Sequence, residues 1–129
     1  MPDRKRELYE NLYEYRLAKK FADRIWAVVE RWEPFAKREI GDHLIGASDT
    51  LQSNVERALT GADAGGRGGE FARKARSSLF ECRHWMKKAF KDGLLSEDEA
   101  DELLIMVESL GPRIDRIIDL LNTQKPGRA

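Results

Sequence analysis

The sequence predicts an all-α protein, an antiparallel up-down-up-down four-helix bundle in one domain spanning 1–129. Three observations carry this. Four stretches place their apolar residues three and four apart, as one face of a helix requires. The segments joining them are short and carry helix breakers. No stretch gives a strand signal, the period-2 alternation of a half-buried strand.

Helix one is expected over 8–33. Leu17, Phe21, Ile25, Val28, Val29 and Trp32 form its stripe, with Ala18 and Ala22 filling in. Glu33–Pro34 marks the break, because proline pushes the preceding residue out of the helical region. Helix two is expected over 36–60, with Ile40, Leu44, Ala47, Leu51, Val55 and Ala58 facing inward. Gly41 and Gly46 lie inside it, and each costs about 1 kcal/mol against Ala there. That points to close approach by a neighbouring backbone. Asn54, at the edge of the stripe, needs hydrogen-bond partners.

Residues 61–69, GADAGGRGG, hold five glycines in nine positions and read as a flexible connection. The phosphate-loop spacing and its preceding strand are both absent. Helix three is expected over 70–92, with Phe71, Ala75, Leu79, Cys82, Met86 and Phe90 as its stripe, stopped by Asp92-Gly93. Ser96 with Glu99 makes a capping box for helix four, expected over 97–122. Ala100, Leu103, Val107, Leu110, Ile114, Ile117 and Leu121 give that helix a heptad seam. Pro112 is expected to kink or loosen it. The tail 123–129 reads as frayed.

Helix two also carries a motif, I-G-x-x-L-x-x-A-x-D-[ST]-[IL]-x-x-N-[IV], met here by Ile40, Gly41, Leu44, Ala47, Asp49, Thr50, Leu51, Asn54 and Val55. With Tyr9, Leu12, Tyr15, Ala18 and Ile25–Trp26, the run 77–81 and Leu95–Glu99 followed by Glu102–Leu104, it resembles the proteins encoded in intervening sequences of 23S ribosomal RNA genes. More distantly it is similar to the accessory variability determinant of diversity-generating retroelements. The resemblance implies a bacterial four-helix bundle that forms a ring-like homopentamer and binds RNA or DNA as an accessory to a reverse transcriptase. The chain departs from the family in its glycine-rich connection, where a basic segment is usual.

Charged residues make up 36% and apolar residues 41%, which suits a packed, soluble chain. No apolar run approaches the ~20 residues of a membrane span. The first residues lack a secretory apolar core. A single Cys fits a reducing, cytoplasmic setting. His43 and His84 lie on different helices without ligand partners at metal spacing. The Glu-x-x-His spacing of Glu81–His84 occurs only once, so no metal site and no cofactor is expected. Cys82 sits on the core stripe as a buried thiol. No nucleophile–base–orienter set is legible, and the chain is expected not to be an enzyme.

Net charge is zero, but the charges are segregated. From Arg67 to Lys91 the basic residues are Arg67, Arg73, Lys74, Arg76, Arg83, Lys87, Lys88 and Lys91, against two acids, Glu70 and Glu81. Arg73, Arg76, Phe80, Arg83, Lys87, Lys88 and Lys91 fall opposite the core stripe, with His84 among them. A cationic face interleaved with an aromatic can follow phosphates and stack a base, which makes these seven the candidate nucleic-acid-binding residues. The competing account pairs this face with the acidic opening of helix four, Glu97, Asp98, Glu99, Asp101 and Glu102, within one chain or between subunits. A solvated charged face is a third account. A weaker basic group, Arg16, Lys19, Lys20 and Arg24, lies on helix one. The small-residue flank and off-stripe apolar residues suggest a subunit interface at Gly41, Ile45, Ser48, Ile105 and Met106. Two functions follow: an oligomeric, non-enzymatic nucleic-acid-binding accessory protein, or a homo-oligomeric protein-interaction scaffold without nucleic-acid affinity.

Overall fold

The computed structural model describes residues 12–60 and 67–123. Four helices and no strand occur among them. Helix α1 is Tyr13–Val29. Helix α2 begins as Pro34–Ala36, passes through a π-helical turn at Lys37–Gly41 and continues as Asp42–Thr60. Helix α3 is Gly68–Lys91 and helix α4 is Glu97–Thr123. The expected start at 8 for helix one and the tail beyond 123 lie outside the described residues, as does most of the glycine-rich connection, 61–66. Gly68 and Gly69, expected in that connection, already belong to α3 and are buried.

Local chemistry sets most helix ends. Glu33 accepts a hydrogen bond from the Ala36 N–H at 3.0 Å, and Pro34 fills the first turn of α2. Gly93 holds φ +78°, the left-handed conformation that closes α3. The Ser96–Glu99 box forms in both directions, Ser96 N–H to Glu99 at 3.0 Å and Glu99 N–H to Ser96 Oγ at 3.1 Å. That Ser96 N–H, and then the Arg31 guanidinium, hold the Glu99 carboxyl below its ordinary value of 4.5. A depressed carboxyl stabilises the fold above its unfolded pKa and loses that contribution as pH falls through the folded value. Wild type should therefore outlast Glu99→Gln in urea at neutral pH, with the gap closing below pH 4.5.

The π turn leaves no mark in the apolar spacing. Asp42 N–H donates to the Lys37 carbonyl, five residues back, which inserts one residue into the helix. One extra residue turns the upstream segment by about 100° relative to the downstream one. Pro112 leaves α4 continuous from Glu97 to Thr123. Its missing N–H removes the bond that the Glu108 carbonyl would accept.

The core combines one stripe from each helix: Phe21, Ile25 and Val28 of α1; Leu44, Leu51 and Val55 of α2; Ala75, Leu79 and Cys82 of α3; Leu103, Val107, Leu110 and Ile114 of α4. The α2–α3 pair packs most extensively, and α1 and α3 do not pack closely across the bundle. Burial pushes the Cys82 thiol up to about 12, so it is a packing group with little thiolate at neutral pH. Asn54 finds its partner across the α2–α3 seam, donating to Ser78 Oγ at 3.4 Å while Ser78 donates to the Lys74 carbonyl.

Two glycines of α2 differ in kind. A Cβ on Gly41 would lie 2.6 Å from Val29 Cγ1, a stiff β-branched side chain in the core. A Cβ on Gly46 would meet nothing within 4 Å. Gly41→Ala should thus lose about 1–3 kcal/mol through overpacking. Gly46→Ala should gain about 0.5–1 kcal/mol through helix propensity. Chemical denaturation of the two variants checks both signs.

Candidate nucleic-acid interface

The basic arc of α3 divides into two rows. One row leans toward α4. There Arg76 meets Asp115 at 2.9 Å and Arg83 meets Glu108 at 3.0 Å. The expectation that the basic face of α3 meets acids of α4 therefore holds for these two arginines. Their partners lie further along α4 than the acidic opening. That opening turns partly to α1 and the turn that follows it, where Glu102 pairs with Arg24 at 2.9 Å and Glu99 with Arg31. The Arg76 and Arg83 pairs are half-exposed, and such pairs contribute little, about 0–1 kcal/mol. A phosphate can replace the carboxylate at small cost.

The other row is the outer crest, with Arg73, His84, Lys88 and Lys91 exposed. No ion pair holds Lys87, Lys88 or Lys91 among the described residues. Phe80 is 72% exposed, as expected of an aromatic on this arc.

The seam between α2 and α3 adds residues that the sequence does not single out as a site. At one end His43 of α2 stacks on Trp85 of α3, ring centroids 4.2 Å apart and 5° from parallel. His84 meets the same indole edge-on at 5.0 Å. At the other end Phe71 is ringed by Arg57, Arg67 and Lys74, at 5.5, 5.9 and 5.3 Å from its centroid. Glu70 lies among these cations, 3.4 Å from Lys74 and 3.7 Å from Arg67. Phe71 and Trp85 are about 21 Å apart along α3 by helical rise. Cations and aromatics thus cluster at both ends of this seam, on one side of the molecule. His43 and Arg57 both lie on the facing helix, which hides this strip from a reading of α3 alone.

Between α3 and α4 lies a groove of about 610 Å³, lined by Phe80, Met86, Phe90, Leu95 and Leu104 with Lys87 on one rim and Glu97 and Asp101 on the other. Phe90 is expected on the core stripe, but it is 50% exposed at this groove. It lies at the margin of the stripe, near the end of α3.

The expected subunit interface needs correction. Gly41, Ser48 and Met106 are buried within the chain and have no surface to give a neighbour. Gly41 abuts Val29, and Ser48 donates to the Ile45 carbonyl at 3.0 Å. Met106 is one step from Val107 on the core seam and falls inside the wider buried arc of α4. Ile45 is half-buried against the core, whereas Ile105 is 70% exposed. Trp26 and Phe35, which the sequence does not assign to an interface, are exposed as well. Two of the four residues of the weaker basic group on α1 are engaged, Lys19 with Asp23 at 3.0 Å and Arg24 with Glu102. No group of three or more His, Cys, Asp or Glu able to hold a metal occurs among the described residues. None of the described helices is long and apolar enough to cross a membrane.

These features define a small all-α protein of four amphipathic helices with a basic, aromatic-studded side. Residues 10–116 match the model of the 23S rRNA-intervening sequence protein family. The chain belongs to that family. No curated protein and no solved structure matches it.

Proposed function

We propose that this protein is a non-enzymatic, self-assembling nucleic-acid-binding accessory protein, with RNA as the first ligand to test. The observation that carries this is the strip of cations and aromatics along the α3 crest and the α2–α3 seam. Phosphates bind the cations by releasing counterions, and bases stack on the rings without demanding a sequence. The family's name supports RNA over DNA. Assembly into a ring, as the homopentamer that the family resemblance implies, would repeat the strip and let weak contacts act together. A reverse transcriptase is the protein partner that the more distant resemblance to the retroelement accessory protein implies. The antiparallel up-down-up-down arrangement is supported by the order of the cross-helix pairs. His43 with Trp85 and Arg57 with Phe71 run oppositely along α2 and α3, as Arg76–Asp115 and Arg83–Glu108 do along α3 and α4.

The test is binding of a structured RNA by fluorescence anisotropy at low and near-physiological salt. Expected is tight binding at low salt that weakens steeply as salt rises. No binding at low salt would favour the alternative, a homo-oligomeric scaffold for protein partners. The apolar α3–α4 groove, with its rims of opposite charge, is the observation in favour of that second account.

A further inference from the structure

We propose that the His43–Trp85–His84 cluster, with the bare helix surface at Gly46, is a seat for an unstacked nucleobase of single-stranded RNA. The inference rests on the nucleic-acid reading above and adds a base site to its phosphate track.

The first support is the stack itself. His43 and His84 are exposed and Trp85 is half-buried, so one ring is anchored and two are presented to solvent. His43 already lies parallel to the indole at 4.2 Å. A base laid on the free face of His43 would extend a stack whose geometry is set in advance, so little ordering opposes binding. Splayed-out RNA bases are held on such aromatic faces.

The second support is Gly46. It lies three residues after His43, one turn along the same side of α2. A glycine inside a helix is destabilising relative to alanine. Gly41 has a reason inside the chain, because Val29 occupies the place of its Cβ. Gly46 has none, since the space beside it is open. An absent side chain beside an exposed stacked ring leaves room for a flat ligand.

The third support is the position of charge. Lys88 follows His84 by one turn on the crest of α3, and Lys91 follows Lys88 by another. Both are exposed cations that can hold the phosphates flanking a seated base. Glu81, exposed one turn before Trp85, is a hydrogen-bond acceptor on the same helix and gives an exocyclic amine a partner that a phosphate lacks.

The experiment compares a short single-stranded RNA with an abasic oligonucleotide of equal length and charge, both labelled for anisotropy. Carbethoxylation of the two histidines is read by mass spectrometry in parallel. The RNA should bind about tenfold tighter than the abasic strand, the scale of one stacked base. It should also protect His43 from modification. His43→Ala should lower RNA affinity toward that of the abasic strand. Gly46→Gln should raise the melting temperature, because glutamine is a good helix former. It should also lower RNA affinity to the abasic level, because its side chain covers the seat. A variant that gains stability and loses base binding cannot be explained as misfolding. Equal affinity for both strands with His43 unprotected would overturn the base seat and leave the phosphate track standing. Failure of both strands to bind, even at low salt, would remove the nucleic-acid reading and the seat with it.

Discussion

Reversing Lys87, Lys88 and Lys91 to Glu should abolish RNA binding, a loss of about a hundredfold or more near physiological salt. These lysines are the cations of α3 for which no carboxylate partner is present among the described residues. Each phosphate deprived of its cation should also lower the salt slope by about one. Neutral Gln replacements at the three sites should therefore flatten the slope by about three while weakening binding less than reversal does. Reversing Arg76 and Arg83 should have the smaller effect. Their charges are already offset by Asp115 and Glu108. The fold should tolerate all of these changes, since every residue involved is on the surface. Circular dichroism and anisotropy on the same preparations separate folding from binding.

Phe21→Ala should cost about 3–5 kcal/mol, the range for truncating a buried aromatic. Phe21 is fully buried beside Ile25 and Ala18, on the stripe that α1 turns to the core. Domains of this size are stable by only about 5–15 kcal/mol, so the change removes a large share. The melting temperature should fall by roughly 10–20 °C. Trp26→Ala on the same helix is the control. Trp26 is 52% exposed, and its loss should move the melting temperature by far less. A large drop for Trp26 in dilute solution would mean that its exposed face is covered by another subunit.

The fold is legible where the signal is local. The spacing of Leu44, Leu51 and Val55 or of Leu103, Val107, Leu110 and Ile114 is the buried stripe itself. The Ser96–Glu99 box, the Gly93 stop and the burial of Cys82 follow from residues close in sequence. The π turn is hidden, because inserting one residue into a helix changes no composition and breaks no stripe abruptly. Met106 and Phe90 lie at the margins of their stripes, where the neighbouring helix decides burial.

The candidate site is half legible. Every basic residue proposed on α3 is exposed, as the helical wheel requires. Which of them meets an acid depends on how α3 slides against α4, and periodicity along one helix carries no such register. The same holds for His43 on Trp85 and for Arg57 over Phe71, pairs joined only by folding. Gly41 and Gly46 look alike in sequence and diverge only once Val29 is in place. The subunit interface is the weakest expectation, because small residues inside a helix suit tight packing in the core as well as a neighbour.

The most direct measurement is lysine acetylation footprinting with and without a structured RNA, read residue by residue by mass spectrometry. It reports where RNA lies on the assembled protein, whatever its subunit number. The proposed function predicts protection of Lys87, Lys88 and Lys91, with Lys19, Lys20 and Lys37 as reactive as in the free protein. Protection confined to Lys19 and Lys20, or none at a saturating RNA concentration, would contradict α3 as the nucleic-acid face.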